Sequence, residues 1–191
     1  MEKNNIIIKA FEIIEKVGWD NFSLSLLSRN LKISERSLKK FFRNKEFILI
    51  DFSRMIDQNV DSLINLEDLK ESTVKDNLFE LIMLRLEIML PYRKALKLIL
   101  ASNKKINPLT IKIISQNIIE SLDFYLDISG SYLNERFDFL KKYTIFLIYI
   151  YACKEWLNDN SEDLSKTMSN LDRSLDFSRE LKDKISSVFV I

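Results

Sequence analysis

The chain has 191 residues, and its 47% of hydrophobic residues is enough for a sizeable core in one or two modest domains. Only two Gly and two Pro occur in the sequence, which leaves few turn residues for hairpins and predicts an all-helical protein. A single cysteine, Cys153, and the lack of histidine exclude an intramolecular disulfide, a Cys/His zinc site and imidazole catalysis.

Charge is distributed unevenly along the chain, although the net charge is only +1. Residues 1–50 hold ten Lys or Arg and six Asp or Glu, while residues 51–191 hold nineteen and twenty-two. The first segment is therefore net positive by four and the second net negative by three. Because phosphate binding is largely electrostatic, this segregation favours a DNA-facing head on a neutral or acidic body.

The first predicted helix spans residues 4–17, with Gly18 at a position that C-terminal helix caps prefer. Charged residues interrupt this segment at helical spacing, so it lacks the apolar region of a signal peptide. The longest apolar run, from Tyr143 to Cys153, is about half of the roughly 20 residues that span a bilayer. The sequence predicts no membrane span, and the expected compartment is a reducing cytoplasm.

The stretch from Trp19 to Glu46 predicts two short helices joined by a tight turn. Ser23 and Ser34 each precede an amphipathic pattern and are suited to cap a helix. This arrangement is typical of a helix-turn-helix, whose second helix enters the major groove of DNA. From Arg29 to Lys45 there are seven Lys or Arg and a single acidic residue, Glu35. A solvated surface helix, which is the alternative interpretation, usually mixes charges of both signs.

The second helix of this motif is predicted over residues 35–41, and its apolar period places Leu38, Phe41 and Phe42 on one face. Six helices are predicted beyond it, with the polar segment 67–72 as a boundary and Pro91 as a break. Their predicted bounds are residues 45–66, 73–90, 92–101, 108–128, 133–157 and 164–188.

The spacing of several residues follows the pattern of a known family: Gly18 with Trp19, the caps Ser23 and Ser34, and the run from Phe42 to Glu46. With this spacing the first fifty residues resemble the TetR family of bacterial transcriptional repressors. The resemblance implies an all-α, TetR-like fold with an N-terminal three-helix helix-turn-helix head over residues 1–50. Residues 51–191 would then form a C-terminal helical body for ligand binding and dimerisation.

The same resemblance implies that Ser34, Ser37, Lys39 and Lys40 face double-stranded DNA and that Lys45 contacts a phosphate. Caps, charge and resemblance together give the candidate DNA-binding residues, which are Ser23, Ser34, Arg36, Ser37, Lys39, Lys40, Arg43 and Lys45.

Three positions depart from the family pattern. Lys32 stands where the turn usually has Gly, Arg36 replaces a small residue, and Lys39 replaces a phosphate-contacting Tyr. If the turn requires a positive φ, a residue other than glycine costs up to about 1 kcal/mol there.

The segments beginning at Arg85 and Lys142 are similar to the C-terminal region of alphaproteobacterial TetR-like proteins. They also resemble the lipid-binding coenzyme Q biosynthesis proteins that share the TetR fold. Two functions therefore remain open. One is a DNA-binding transcriptional regulator, a repressor as the resemblance implies, whose operator binding is modulated by a small apolar ligand. The other is a lipid-binding accessory protein without DNA binding.

Apolar side chains of the body either line a ligand cavity or form ordinary core. The candidates are Phe79, Met83, Leu86, Met89, Phe124, Tyr143 and Phe146. Arg85 and Arg93 beside Pro91 either meet an anionic ligand group or form surface ion pairs. Cys153 lies in an apolar stretch, where a free thiol is usually inert packing.

The last two helices are expected to form a homodimer, because their apolar faces exceed what one body would bury. Two heads would then read half-sites about 34 to 36 Å apart. No carboxylate pair or other catalytic constellation stands out, so we expect no enzyme, no cofactor and no metal.

Overall fold

A computed structural model describes residues 2–103, 106–133 and 138–189, with side chains through residue 180. All regular structure in these ranges is helical, which confirms the predicted all-α class. The helices are α1 Lys3–Val17, α2 Leu24–Leu31, α3 Glu35–Lys39, α4 Glu46–Asp61, α5 Asp68–Glu71, α6 Val74–Ile88, the 3-10 turn η1 Leu90–Tyr92, α7 Arg93–Leu100, α8 Pro108–Ile128, α9 Asp138–Asn158 and α10 Ser165–Phe189.

Most predicted helices are present, and the differences lie at their ends. The helix expected to reach Leu66 ends at Asp61, and the polar segment after it contains the four-residue α5. Propensity continues past Asp61, but Leu63 is exposed and gains no burial there, so tertiary packing does not support further turns. Leu133 is not helical although a helix was predicted from it, and residues 134–137 of that prediction lie outside the described residues.

The chain divides into two compact units, which we call unit 1 and unit 2. Unit 1 comprises Met1–Asp61 and Ile88–Ile118, and unit 2 comprises Ser62–Glu87 and Ile119–Ile191. Unit 1 thus contains the helix-turn-helix together with α4, η1, α7 and the first half of α8. The predicted functional division at residue 50 is a different boundary and stays a prediction.

The core of unit 1 is built on α1, which contacts α2, α4 and α7. Phe11 of α1 stacks on Phe52 of α4 with ring centroids 4.1 Å apart. Tyr92 meets both rings edge-on, at 5.4 Å from Phe11 and 5.0 Å from Phe52. Aromatic clusters of this kind bury large apolar areas, so they hold α1 as a fixed base for the helix-turn-helix.

The core of unit 2 includes the packing of α9 against α10. The buried face of α9 presents Ile145, Tyr149, Ala152 and Trp156 at helical spacing. Lys75 of α6 forms ion pairs with Asp172 and Asp176 of α10, at 2.7 and 2.8 Å. The inward faces are therefore apolar, and the ion pairs lie at the rim. Within the described ranges, no helix is both long and apolar enough to cross a membrane.

Candidate nucleic-acid interface

The two helices of the motif begin at serine caps, as the sequence predicts. The Ser23 hydroxyl accepts a hydrogen bond from the Leu26 amide at 3.2 Å, and the Ser34 hydroxyl accepts one from the Ser37 amide at 3.1 Å. Each bond satisfies an amide that has no partner within its own helix. The caps therefore fix where α2 and α3 start.

The turn between α2 and α3 has a left-handed residue at Lys32, with φ 54° and ψ 37°. The Lys32 amide donates to the Arg29 carbonyl at 3.2 Å, and the Ile33 amide donates to the Ser28 carbonyl at 3.1 Å. These bonds satisfy carbonyls at the end of α2. Because a side chain is disfavoured at positive φ, Lys32 holds strain of roughly 1 kcal/mol that glycine would avoid.

The orientation of α3 is set by Leu38, which is completely buried. Arg36 and Lys40 are each two residues from Leu38, so they project about 160° away from it, toward solvent. Both side chains are exposed. The outward ridge of α3 is therefore formed by two cationic residues spaced four apart, Arg36 in the helix and its C-cap Lys40.

The remaining polar side chains of α3 have partners on the same helix. Lys39 forms an ion pair with Glu35 at 2.8 Å. The hydrogen bond and the charge of Lys39 lower the pKa of the Glu35 carboxyl. The hydroxyls of Ser34 and Ser37 lie 2.8 Å apart and share a hydrogen bond.

Phe41 corrects one expectation from the sequence. The apolar period places it inside with Phe42, but Phe41 is 44% exposed whereas Phe42 is completely buried. The helix predicted to reach Phe41 ends at Lys39, and its C-cap Lys40 is the last residue with helical backbone angles, so the helical period does not describe Phe41. An exposed aromatic ring thus lies between Lys40 and Arg43, and its sequence signal was the same as that of a core residue.

Lys45 lies at the start of α4 and points toward the loop between α1 and α2. Its ammonium group donates to the carbonyls of Trp19 at 2.6 Å and Phe22 at 3.3 Å. It also lies 4.2 Å from the centroid of the Trp19 ring. Lys45 therefore supports the loop that leads into α2, and its predicted phosphate contact stays a prediction.

A shallow, open depression lies beside the first turn of α2. The cap Ser23 and Leu24 line it at the start of α2, and Arg43 and Lys45 line it from the segment before α4. The acidic Asp20 and residues 21, 22 and 44 complete the rim. The N-terminus of α2 and the guanidinium of Arg43 favour a negatively charged group at this place, while the carboxylate of Asp20 opposes it.

Carboxylates that the sequence analysis did not single out connect parts of unit 1. Asp20 accepts a hydrogen bond from the Ser102 hydroxyl at 2.5 Å. Glu46 accepts hydrogen bonds from the Asn107 amide at 3.2 Å and from the Thr110 hydroxyl at 2.6 Å. These partners lie 61 to 82 residues apart, so no local pattern could have revealed them.

The seven candidate ligand-binding residues occupy different environments. Met83 and Leu86 are buried in unit 2, Met89 is buried in unit 1, and Phe79 and Phe146 are half-buried. Phe124 and Tyr143 are exposed, Tyr143 by 51%. Helical spacing shows that residues share a face but not which face is buried. A cavity lined by all seven residues stays a prediction.

Arg85 is only 1% exposed, so the expected surface ion pair is wrong for this residue. Its Nε donates to the Tyr149 hydroxyl at 3.1 Å, and one terminal nitrogen donates to the Ser121 hydroxyl at 3.3 Å. Burial raises the pKa of Tyr149 well above its ordinary value and raises the pKa of the Cys153 thiol to about 11. The thiol is therefore protonated at neutral pH, which suits packing and disfavours nucleophilic chemistry.

The solvent-exposed face of α9 is apolar, whereas the exposed face of a helix is usually polar. We call the following residues the α9 stripe: Phe139, Leu140, Tyr143, Leu147, Ile150 and Tyr151. All six are exposed. Leu140, Tyr143, Leu147 and Ile150 follow one another at intervals of three and four residues, and Phe139 and Tyr151 flank this row. Exposed apolar surfaces of this kind are typical of sites that associate with another surface.

Solved structures with the same architecture exist. A TetR transcriptional regulator from Nitrosomonas europaea ATCC 19718 matches with a TM-score of 0.72 at 17% identity, covering 91% of this chain and 95% of that chain. This chain has the TetR fold. A TetR transcriptional regulator from Rhodococcus sp. RHA1 is also similar, with a TM-score of 0.62 at 12% identity, covering 91% of this chain and 93% of that chain.

The TetR fold implied by the sequence resemblance is thereby confirmed. The alphaproteobacterial type of the resemblance stays a prediction. No family profile matches the sequence, and no curated protein sequence is significantly similar to it.

Proposed function

We propose that the protein is a transcriptional regulator that binds double-stranded DNA through α3. The observation that carries this proposal is the outward ridge of α3, where Arg36 and Lys40 are exposed opposite the buried Leu38. Arg43 adds a further exposed cation just after this helix. The major groove admits an α-helix, and neutralising phosphates with such cations supplies much of the affinity. The shared TetR fold supports this reading.

The depression beside α2 suits a phosphate of the same DNA. A phosphate there would meet the first turn of α2, capped by Ser23, and the guanidinium of Arg43. A helix N-terminus and base-reading residues on the next helix give two kinds of contact, one for position and one for sequence.

We further propose that the protein acts as a homodimer through its last two helices, with the α9 stripe as the main contact. In an isologous interface, each copy would cover the exposed stripe of the other with the same apolar surface. On α10, Met168 and Phe177 are also exposed and belong to the proposed interface. Two heads held in this way would address two half-sites on one DNA face.

The proposal also includes regulation. The protein would be a cytoplasmic repressor, and a small apolar ligand would weaken its binding to the operator. Such a ligand acts only if it binds one conformation of the dimer better than the other. The buried side chains Met83 and Leu86 in unit 2 are compatible with an apolar ligand.

The α9 stripe also favours a second candidate, a lipid-binding accessory protein without DNA binding. An exposed apolar face would then contact lipid instead of a second copy. Native mass spectrometry of the purified protein, with and without duplex DNA fragments, separates the two functions. The regulator is expected as a dimer that adds one duplex; the accessory protein would be a lipid-bearing species that adds none.

A matched pair of variants tests the DNA surface itself. Replacing Lys40→Ala and Arg43→Ala together should strongly reduce retention of a randomised duplex pool. Replacing Lys70→Ala and Lys97→Ala removes two exposed cations elsewhere and should leave retention unchanged. Equal retention by both double variants would overturn the assignment of α3 as the DNA surface.

A further inference from the structure

α3 has few side chains that are available to read bases. Leu38 faces the core, and Lys39 is engaged by Glu35 at 2.8 Å. The hydroxyls of Ser34 and Ser37 are bonded to each other, and the Ser34 hydroxyl also caps the helix. In the part of the chain that the structure describes, the side chain of Arg36 forms no hydrogen bond and no ion pair. Its guanidinium is therefore free to bind a ligand at no cost in internal contacts.

Arg36 also has the position of a base-reading residue. It is the second residue after the cap Ser34, and recognition helices contact base edges with residues near their N-terminus. Lys40 lies one turn later on the same ridge and is exposed. The ammonium group of Lys40 therefore lies at the end of the helix. A contact with a phosphate there does not need the planar, two-donor geometry of a guanidinium.

The chemistry of Arg36 specifies the base. A guanidinium presents parallel N–H donors, and the O6 and N7 acceptors of guanine in the major groove match two of them. Adenine offers one acceptor and one donor at this edge, and cytosine and thymine do not offer paired acceptors.

We propose that Arg36 reads a guanine in each half-site of the operator through a bidentate contact to O6 and N7. The inference rests on the DNA-binding function proposed above and adds a sequence requirement to it. Lys40 and Arg43 then contribute affinity for any sequence, while Arg36 contributes the preference.

The test begins with selection of binding sequences from a randomised duplex pool by the full chain. Wild-type protein is expected to enrich a guanine at one position of each half-site. Replacing that guanine by 7-deazaguanine, which lacks the N7 acceptor, should weaken wild-type binding by roughly 5- to 150-fold. Replacing it by hypoxanthine, which keeps O6 and N7, should leave binding within about twofold.

The Arg36→Ala variant provides the second arm of the test. It should bind the guanine and 7-deazaguanine duplexes equally, and Lys40→Ala should weaken both while keeping their ratio. Because Arg36 is exposed, Arg36→Ala should melt at the wild-type temperature.

Several results would overturn the inference. One is a selected site without a fixed guanine, and another is an unchanged 7-deazaguanine effect in Arg36→Ala. Either result leaves DNA binding intact and removes only the role of Arg36. If wild-type protein retains no duplex at low salt, the proposed DNA-binding function fails and the inference fails with it.

Discussion

α3 and α9 expose opposite kinds of surface. α3 has five residues and buries one apolar side chain, Leu38, while its outward ridge is cationic. α9 has 21 residues and buries one apolar face, yet its opposite face is apolar too. Leu147, on this outward face, is 67% exposed.

This difference indicates two kinds of partner. Exposed cations gain little when another protein surface covers them, but they gain when a polyanion binds and releases its counterions. An exposed apolar stripe gains nothing from a polyanion and is stabilised when another apolar surface removes it from water. The comparison therefore supports the two proposals that α3 binds DNA and that α9 binds a second copy of the chain.

The largest expected effect concerns the α9 stripe. Leu147→Glu would place a carboxylate in the middle of the proposed dimer interface and should raise the dimer dissociation constant by roughly 100-fold or more. Analytical ultracentrifugation at micromolar concentration measures the change. Leu100→Glu is a matched control, because Leu100 of α7 is also 67% exposed and lies outside the stripe. A dimer that tolerates Leu147→Glu would exclude α9 as the interface.

Substitutions on the buried face of α9 should change the stability of the protein and not its dimerisation. Tyr149→Phe removes the hydroxyl that accepts a hydrogen bond from the buried Arg85. We expect the free energy of unfolding to fall by about 1–3 kcal/mol, measured by urea titration at one protein concentration. Tyr143→Phe on the exposed stripe should change it by less than about 0.5 kcal/mol. Equal effects would contradict the assignment of the two faces.

The turn after α9 should make stability depend on acid pH. Burial alone would raise the pKa of the Asp159 carboxyl, but hydrogen bonds from Ser161 and Thr167 outweigh it and hold the pKa well below its ordinary value of 3.8. Asp159 is 1% exposed, so these bonds replace its contact with water. Since the pKa is lower in the folded state, the stabilisation is present above about pH 4 and is lost as the pH falls below it.

The measurement is the free energy of unfolding of wild type and Asp159→Asn between about pH 6 and pH 3. Wild type should lose stability more steeply on acidification than the variant, because the variant has no carboxylate to protonate. Glu80→Gln, at an exposed carboxylate of α6, should follow the wild-type curve. Parallel curves for wild type and Asp159→Asn would show that Asp159 does not account for the acid sensitivity.

In the turn before α3, a substitution at Lys32 should raise the stability of the protein. Lys32→Gly relieves the strain of the left-handed backbone and should raise the free energy of unfolding by about 0.5–1 kcal/mol. Lys32→Ala removes the same charge but keeps a Cβ, so it should not stabilise the protein. Stabilisation by both variants would indicate that charge repulsion, and not positive φ, is relieved at this position.

The smallest effect is expected at Glu35. Glu35→Gln releases Lys39 from its ion pair, so DNA affinity should rise about two- to fivefold at low salt. The melting temperature should not change, since exposed ion pairs contribute little to stability. A loss of affinity in fluorescence anisotropy would mean that Lys39 needs Glu35 to be positioned for DNA.

The sequence predicted the helical class and the caps because these depend on neighbouring residues. Ser23 and Ser34 bond to amides three residues away, and Gly18 ends α1 with φ 76°. Lys32 was identified by its departure from a glycine position, and the structure shows the positive φ that explains why glycine is usual there.

The sequence could not predict contacts between distant segments. Arg85 was expected to meet an anionic ligand group or to form a surface ion pair. The residue that accepts its hydrogen bond, Tyr149, lies 64 residues away in the chain. Phe41 and Tyr143 have apolar neighbours at helical spacing, but the partners that decide which face is buried lie elsewhere in the chain. The same reason explains why Asp20 and Glu46 were not recognised as connecting residues.

The salt dependence of DNA binding tests the central claim most directly. The logarithm of the association constant for a selected duplex should fall linearly with the logarithm of salt concentration, with a slope near −0.9 per neutralised phosphate. Lys40→Ala with Arg43→Ala removes two cations per head, so its slope should be shallower by roughly 2 to 4, whereas Lys70→Ala with Lys97→Ala should keep the wild-type slope. A wild-type affinity that does not depend on salt, or a slope that Lys40→Ala with Arg43→Ala leaves unchanged, would contradict the assignment of this surface to DNA.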